Sequence, residues 1–192
     1  MRNSSSASFS FTPRLATLAL SVALSAAAAP ALAQVMVGGA SMLPSRDIID
    51  NAVNSKDHTT LVAAVKAAGL VDTLKGAGPF TVFAPTNMAF DALPAGTVDT
   101  LLKPENKPLL TKVLTYHVVA GKHDAASIAK MIADGKGMAQ LKTVEGGTLT
   151  AKAKGKDVMV MDEKGGTAHV TIADVYQSNG VIHVIDKVLM PK

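Results

Sequence analysis

The chain has 192 residues, with 19 lysines and arginines against 15 aspartates and glutamates, and it contains no cysteine. The missing thiols exclude disulfides, cysteine catalysis and a lipid-modified cysteine after a leader. A net charge of only +4 falls short of the concentrated basic face that nucleic-acid binding needs.

Residues 1–33 read as a secretory signal. Arg2 and Arg14 supply the positive start, a short apolar run begins at Leu15, and Ala31-Leu32-Ala33 has the small-x-small pattern of a cleavage site. The run is shorter than the ~20 apolar residues of a membrane span. The mature chain is therefore expected to begin at Gln34, to be periplasmic or secreted, and to carry no transmembrane segment. It keeps 159 residues and, having lost two arginines and no acid, a net charge of +2. That length suits one domain with its own core.

Residues 34–46 hold Gly38-Gly39 and Pro44 with no clear period, and read as a linker or N-terminal arm. Organised sequence begins at Asp47. Ile48, Ile49, Ala52 and Val53 recur at helical spacing. Asp57 is placed to cap a second helix, with Leu61, Val62 and Val65 as its stripe and Gly69 as its stop. Leu70, Val71 and Leu74 form a further helical turn. Gly78-Pro79-Phe80-Thr81-Val82-Phe83-Ala84-Pro85 is a strand bracketed by prolines, with Phe80, Val82 and Ala84 on one face and Thr81 and Phe83 on the other. Thr86 caps a short helix through Met88, Phe90 and Leu93. Two more helices follow, over 97–102 and after Pro104, the second running into a strand at Tyr116-His117-Val118-Val119.

After a helix over 125–133 the chain turns to strands, over 141–144, 148–153, 157–161 and 168–175, separated by glycine turns. The last turn, at Asn179-Gly180, predicts a type I′ hairpin. It leads into Val181-Ile182-His183-Val184-Ile185-Asp186-Lys187-Val188-Leu189, a strand apolar on both faces and so covered on both sides. Helices in the first half and a meander in the second indicate an α+β domain.

Two segments and one pair then match a known family. The stretch from Gly78 to Phe90 resembles the first signature of fasciclin-like domains, Asn179 to Leu189 resembles the second, and Tyr116-His117 matches a Tyr-His pair between them. The resemblance covers residues 47–192. It implies a β-wedge of two packed, mostly antiparallel sheets flanked by several short helices. It also implies a role in adhesion or extracellular interaction without general enzymatic activity. In animal matrix members, integrin recognition is attributed to an Asp-Ile pair and the Tyr-His region. The matching positions here are Asp174-Val175, followed by Tyr176, and Tyr116-His117. Valine stands where the family pattern has isoleucine.

Other side chains admit a plain and a sharp reading. His183 on a mainly apolar face is a hydrogen-bonded core histidine, or else a ligand or base. Asp186 is expected to hold backbone amides, and its loss to cost on the order of 1–3 kcal/mol. The histidines lack metal-binding spacing, so no metal or cofactor is expected. No Gly-x-Ser-x-Gly elbow is present. Lys152, Lys154 and Lys156 alternate, either guarding a sheet edge or meeting an acidic glycan or lipid headgroup. Met159 and Met161 share a face, as adaptable core filling or as a soft apolar groove.

The reading that results is a monomeric, non-catalytic binding or adhesion module whose partner is an extracellular or envelope protein or glycan. Its predicted contact residues are Asp174, Val175, Tyr176, Tyr116 and His117. Asn179, Gly180, His183, Asp186, Pro79, Phe80 and Thr86 are predicted to be structural. The alternatives are a carrier of a small apolar ligand and, last, a histidine- and carboxylate-dependent hydrolase.

Overall fold

A computed structural model describes residues 35–155 and 157–192. The expected leader over 1–33, Gln34 and Lys156 lie outside the described residues. The segment read as a linker or arm carries a hairpin, β1 (Val35–Val37) and β2 (Ala40–Met42). Val37 and Met42 are buried in the core, which is why the hairpin is held. Its period escapes a sequence reading because only three residues on each strand carry it.

Helices α1 (Ile48–Ala52), α2 (Thr59–Ala68) and α3 (Val71–Lys75) follow. Asp47 caps α1, its Oδ1 accepting from the Asp50 N–H at 2.8 Å. Asp57 does not cap α2. It sits inside a 3-10 turn, Lys56–His58, which feeds α2 directly. Gly69 ends α2 in the left-handed conformation at φ 73°, as its position predicts.

The centre is β3 (Phe80–Pro85) lying parallel to β9 (Gly180–Ile185), in register from Phe80 opposite Gly180 to Pro85 opposite Ile185. Alternation sends Val82, Ala84, Ile182 and Val184 to one face and Phe83 and Ile185 to the other. Each face feeds its own core. The first lies against α1, α2, α3 and α6 (Lys107–Tyr116); the second fills the inside of the wedge. Thr86 caps α4 (Asn87–Asp91), and α5 (Thr97–Leu102) precedes α6.

Beyond α6 come β4 (Val118–Ala120), α7 (Ala125–Asp134), β5 (Met138–Lys142), β6 (Thr148–Lys154), β7 (Asp157–Met161) and β8 (Thr167–Gln177). The strand order is β4-β3-β9-β8-β7-β6-β5. The two sheets of the wedge are thus halves of one hydrogen-bonded run that share β8. Two register shifts in the β8–β9 pairing, between Val170 and Ile172 and between Ile172 and Val175, allow the bend. The outer ends meet at a bridge between Val119 and Thr143, with the Val144 N–H on the Val118 carbonyl at 2.8 Å.

Several sequence expectations change. Tyr116 closes α6 and His117 follows as its cap, so the strand starts only at Val118. Strand β9 stops at Ile185, and Asp186 is exposed, its Oδ1 accepting the His169 N–H at 2.7 Å. Lys152 does not guard an edge, because it is paired on both sides, with Met138 and with Met159; Lys154 lies past the end of β5 and is paired on one side only, with Asp157. Met159 and Met161 are not core filling. Val160 between them points inward and is fully buried, while they face outward, half-buried.

The turn before β9 is not the left-handed type predicted, since neither Asn179 nor Gly180 has a positive φ. Asn179 is kept for its side chain. Its Oδ1 accepts from the Ile48 N–H at 3.1 Å, and its Nδ2 donates to the carbonyls of Leu74 at 2.7 Å and Gly76 at 3.2 Å. One amide thereby joins the start of α1 and the end of α3 to the entry of β9. Asn179→Ala leaves those groups unpaired and is expected to cost about 2 kcal/mol, read as a lower urea midpoint with an unchanged m-value. No helix among the described residues is long and apolar enough to cross a membrane.

Candidate binding surface

The resemblance assigned contact residues on two segments, and the structure separates them by burial. Tyr116 and His117 are inside, at 0% and 2% exposure. The Tyr116 hydroxyl donates to the Thr148 carbonyl at 3.0 Å and accepts the Glu163 N–H at 3.1 Å. Burial pushes its pKa up to about 12. His117 Nδ1 donates to the Val113 carbonyl at 2.8 Å, and its Nε2 accepts the Leu189 N–H at 3.0 Å. Burial holds this imidazole neutral and lowers its pKa to about 4. Both side chains are tertiary locks. Val175, at 1% exposure, is core as well.

Asp174 and Tyr176 remain at the surface, both half-buried. They flank Val175 on the bulged part of β8. Asp174 has φ +58°, rare for a residue with a side chain. Its position explains the strain. The Asp174 N–H meets His183 Nδ1 at 3.4 Å, and its Oδ1 accepts the Ala125 N–H at 2.7 Å, at the start of α7. Asp124 caps the same helix, its Oδ1 accepting the Ser127 N–H at 2.8 Å. That bonding lowers the Asp124 pKa. Two carboxylates therefore converge on the positive end of one helix.

His183 sits beneath this surface. With Nδ1 accepting from Asp174, its Nε2 carries the proton and donates to the His123 carbonyl at 2.8 Å. The ring stacks on Phe83 at 5.6 Å between centroids, and burial lowers its pKa. Both nitrogens are engaged, which is the plain reading of this residue. The His123 N–H in turn reaches Thr81 Oγ1 at 2.8 Å, which donates to the Gly121 carbonyl at 2.7 Å. The loop from Gly121 to Asp124 is thus tied to β3, β8 and β9.

What stands above it is a ring held between charges. Lys122 Nζ lies 4.8 Å from the centroid of the Tyr176 ring, and the Tyr176 hydroxyl faces Asp124 Oδ2 at 3.5 Å. Burial and then the charges of Asp174 and Asp124 raise the Tyr176 pKa, so the phenol stays protonated. The sequence reading missed Lys122 and Asp124. Asp124 was detectable as an N-cap directly ahead of an apolar helix; Lys122 was not, because stacking between residues far apart in sequence leaves no local pattern.

The other polar and apolar features lie apart from this surface. Among the described residues, no group of three or more histidine, cysteine, aspartate or glutamate side chains could hold a metal ion. An apolar cavity of about 50 Å³ lies in the first core, between α1, α2 and β3, lined by residues including Ile48, Leu61, Val65 and Ile182.

Comparison with known proteins agrees with this architecture. The family model for the fasciclin domain matches residues 56–191. The protein sll1483 of Synechocystis is 51% identical over 144 residues, covering 75% of this chain and 73% of that one. The immunogenic protein MPB70 of Mycobacterium bovis is 39% identical over 145 residues, covering 73% and 66%. The cell surface glycolipoprotein MPB83 of the same species is 40% identical over 145 residues, covering 73% and 58%. Among solved structures, a FAS1 domain pair from the insect cell adhesion molecule Fasciclin I superposes with a TM-score of 0.66 at 17% identity, over 76% of this chain and 51% of that one. With a model spanning most of its length and a relative at 51% identity, the chain belongs to the fasciclin domain family.

Proposed function

We propose that the protein is a non-catalytic binding or adhesion module of the periplasm or extracellular space, recognising an envelope or extracellular protein or glycan through Tyr176, Asp174, Lys122 and Asp124. The family is one of extracellular adhesion and binding, which supports the class of function. The observation that carries the site is the Tyr176 ring held against Lys122 on a bulge whose backbone is fixed from below. A pre-positioned aromatic beside one cation and two carboxylates offers apolar area and hydrogen bonds with little ordering to lose. Tyr116, His117 and Val175 act here only through the fold.

Tyr176→Ala combined with Lys122→Glu is expected to lower attachment to native envelope and extracellular material at least about tenfold, the loss of one ring anchor and one charge contact. Unfolding by urea should shift little. Attachment equal to that of the parent chain would remove the assignment.

A carrier role has the apolar cavity behind it. At about 50 Å³ it admits only a few heavy atoms unless α1 and α2 part, so the surface reading is preferred. Native mass spectrometry of freshly purified protein separates the two, since a carrier retains a bound mass.

A further inference from the structure

The outward face of β5–β8 is unused by anything above. Cross-strand register sets its rows. Met138, Lys152, Met159 and His169 lie side by side across four strands, and Gln140, Thr150, Met161 and Thr167 form the next row. Lys142 pairs with Thr148 on one flank, and Lys154 with Asp157 on the other. The opposite sides of these strands, Ala139, Leu141, Leu149, Ala151, Val160 and Ala168, are buried. Helix α7, which contacts β5 and β6, packs from that inner side through Ile128 and Ile132.

The outward face thus presents three thioethers, Met138 exposed and Met159 and Met161 half-buried, among three lysines, with Asp157 on these rows and the carboxylates of Glu163 and Asp186 bonded to the backbone of Thr148 and His169 at their margins. Met138 is 50% exposed. Methionine is flexible and polarisable, suited to a soft apolar partner, and a lysine stem covers apolar surface while its ammonium reaches outward. The lysines disfavour a second copy of the same face. A sulfated or uronic glycan would use the cations and leave the methionines idle. An anionic lipid surface uses both, with headgroups for Lys142, Lys152 and Lys154 and the upper acyl region for Met138, Met159 and Met161.

The geometry points to this face as a peripheral docking surface for an anionic lipid bilayer. It is separate from the Tyr176 surface, so Tyr176→Ala leaves it intact and either reading can fail without the other.

The test is co-sedimentation of the purified chain with phosphatidylglycerol-containing vesicles and with pure phosphatidylcholine vesicles, followed by peroxide oxidation of the bound protein. Binding is expected only to the anionic vesicles and should weaken as salt rises. Lys152→Gln and Lys142→Gln should each lower the partition about fivefold, with urea midpoints unchanged because both side chains face outward. Bound protein should show Met138 protected. Met88, 76% exposed on α4, should oxidise as it does in solution. The proposal is overturned by no sedimentation with anionic vesicles, by equal binding to neutral ones, by lysine variants that bind like the parent, or by Met138 oxidising at its free rate when bound.

Discussion

Gly180→Ala is expected to destabilise the protein by upwards of about 3 kcal/mol, at the top of the range for overpacking. Conformational freedom is not the reason, since Gly180 has no positive φ. Space is. A Cβ at Gly180 would stand 2.1 Å from the Phe80 carbonyl oxygen, and a Cβ at Gly78 would stand 2.0 Å from the Asn179 carbonyl oxygen. The two glycines let the parallel pair β3 and β9 close at its entry, where the Phe80 N–H donates to the Asn179 carbonyl at 3.1 Å. Both obstructing atoms are backbone, one in β3 and one in the turn that enters β9, so neither can move without shifting Val82, Phe83, Ile182 and Val184 in two cores. Gly39→Ala is the control. Gly39 has φ +76° but nothing within 4 Å of its added Cβ, so only the local left-handed penalty of about 1–2 kcal/mol applies. Urea denaturation of the two variants measures the difference, and equal losses would show that the strand entry tolerates the extra carbon.

That pair of glycines also illustrates what a sequence can carry. The fold class was legible because β3 and β9 announce themselves. Six near-continuous apolar residues between glycine or proline breaks read as buried strands, and the alternation of Val82 and Phe83 correctly assigned two separate faces. The caps at Thr86 and Gly69 were legible because capping chemistry is local. The Asn179-Gly180 turn was misread because the same dipeptide serves a left-handed hairpin and a tight strand approach, and only the position of Phe80 distinguishes them. Tyr116 and His117 were misread for a similar reason. A motif marks positions that matter, but not whether they matter by touching a partner or by locking Thr148, Glu163, Val113 and Leu189 in place. The Tyr176–Lys122 contact joins residues 54 apart in sequence, beyond the reach of any local period. Lys152 had the outward look of an edge guard until pairing on both sides of β6 removed that role.

Acid is expected to loosen the fold well above the pH at which carboxylates titrate. His117 is the main cause. Its pKa is held at about 4 in the folded chain, against about 6.5 when unfolded. Above pH 6.5 the ring is neutral in both states and contributes no pH dependence. As pH falls from 6.5 toward 4 the unfolded chain takes up a proton that the folded chain refuses, and stability declines. Below about 4 both states are protonated and the loss is complete. The gap amounts to about 3 kcal/mol, an appreciable share of a domain's total stability. Protonation would also turn Nε2 into a donor facing the Leu189 N–H, detaching the tail that Met190 anchors to Asp162 Oδ2 at 3.0 Å. His183 and His58, both with pKa lowered by burial, act in the same direction. Asp124, whose pKa is lowered below the usual carboxylate value, loses its contribution only further down the scale. The interval between pH 6.5 and 4.5 therefore belongs to the histidines. His117→Gln keeps a donor and an acceptor but cannot titrate. Urea unfolding at pH 7, 5.5 and 4.5 should give a flatter dependence for this variant than for the parent chain, even though its stability at pH 7 is lower. Parallel curves would show that the proton is taken up elsewhere.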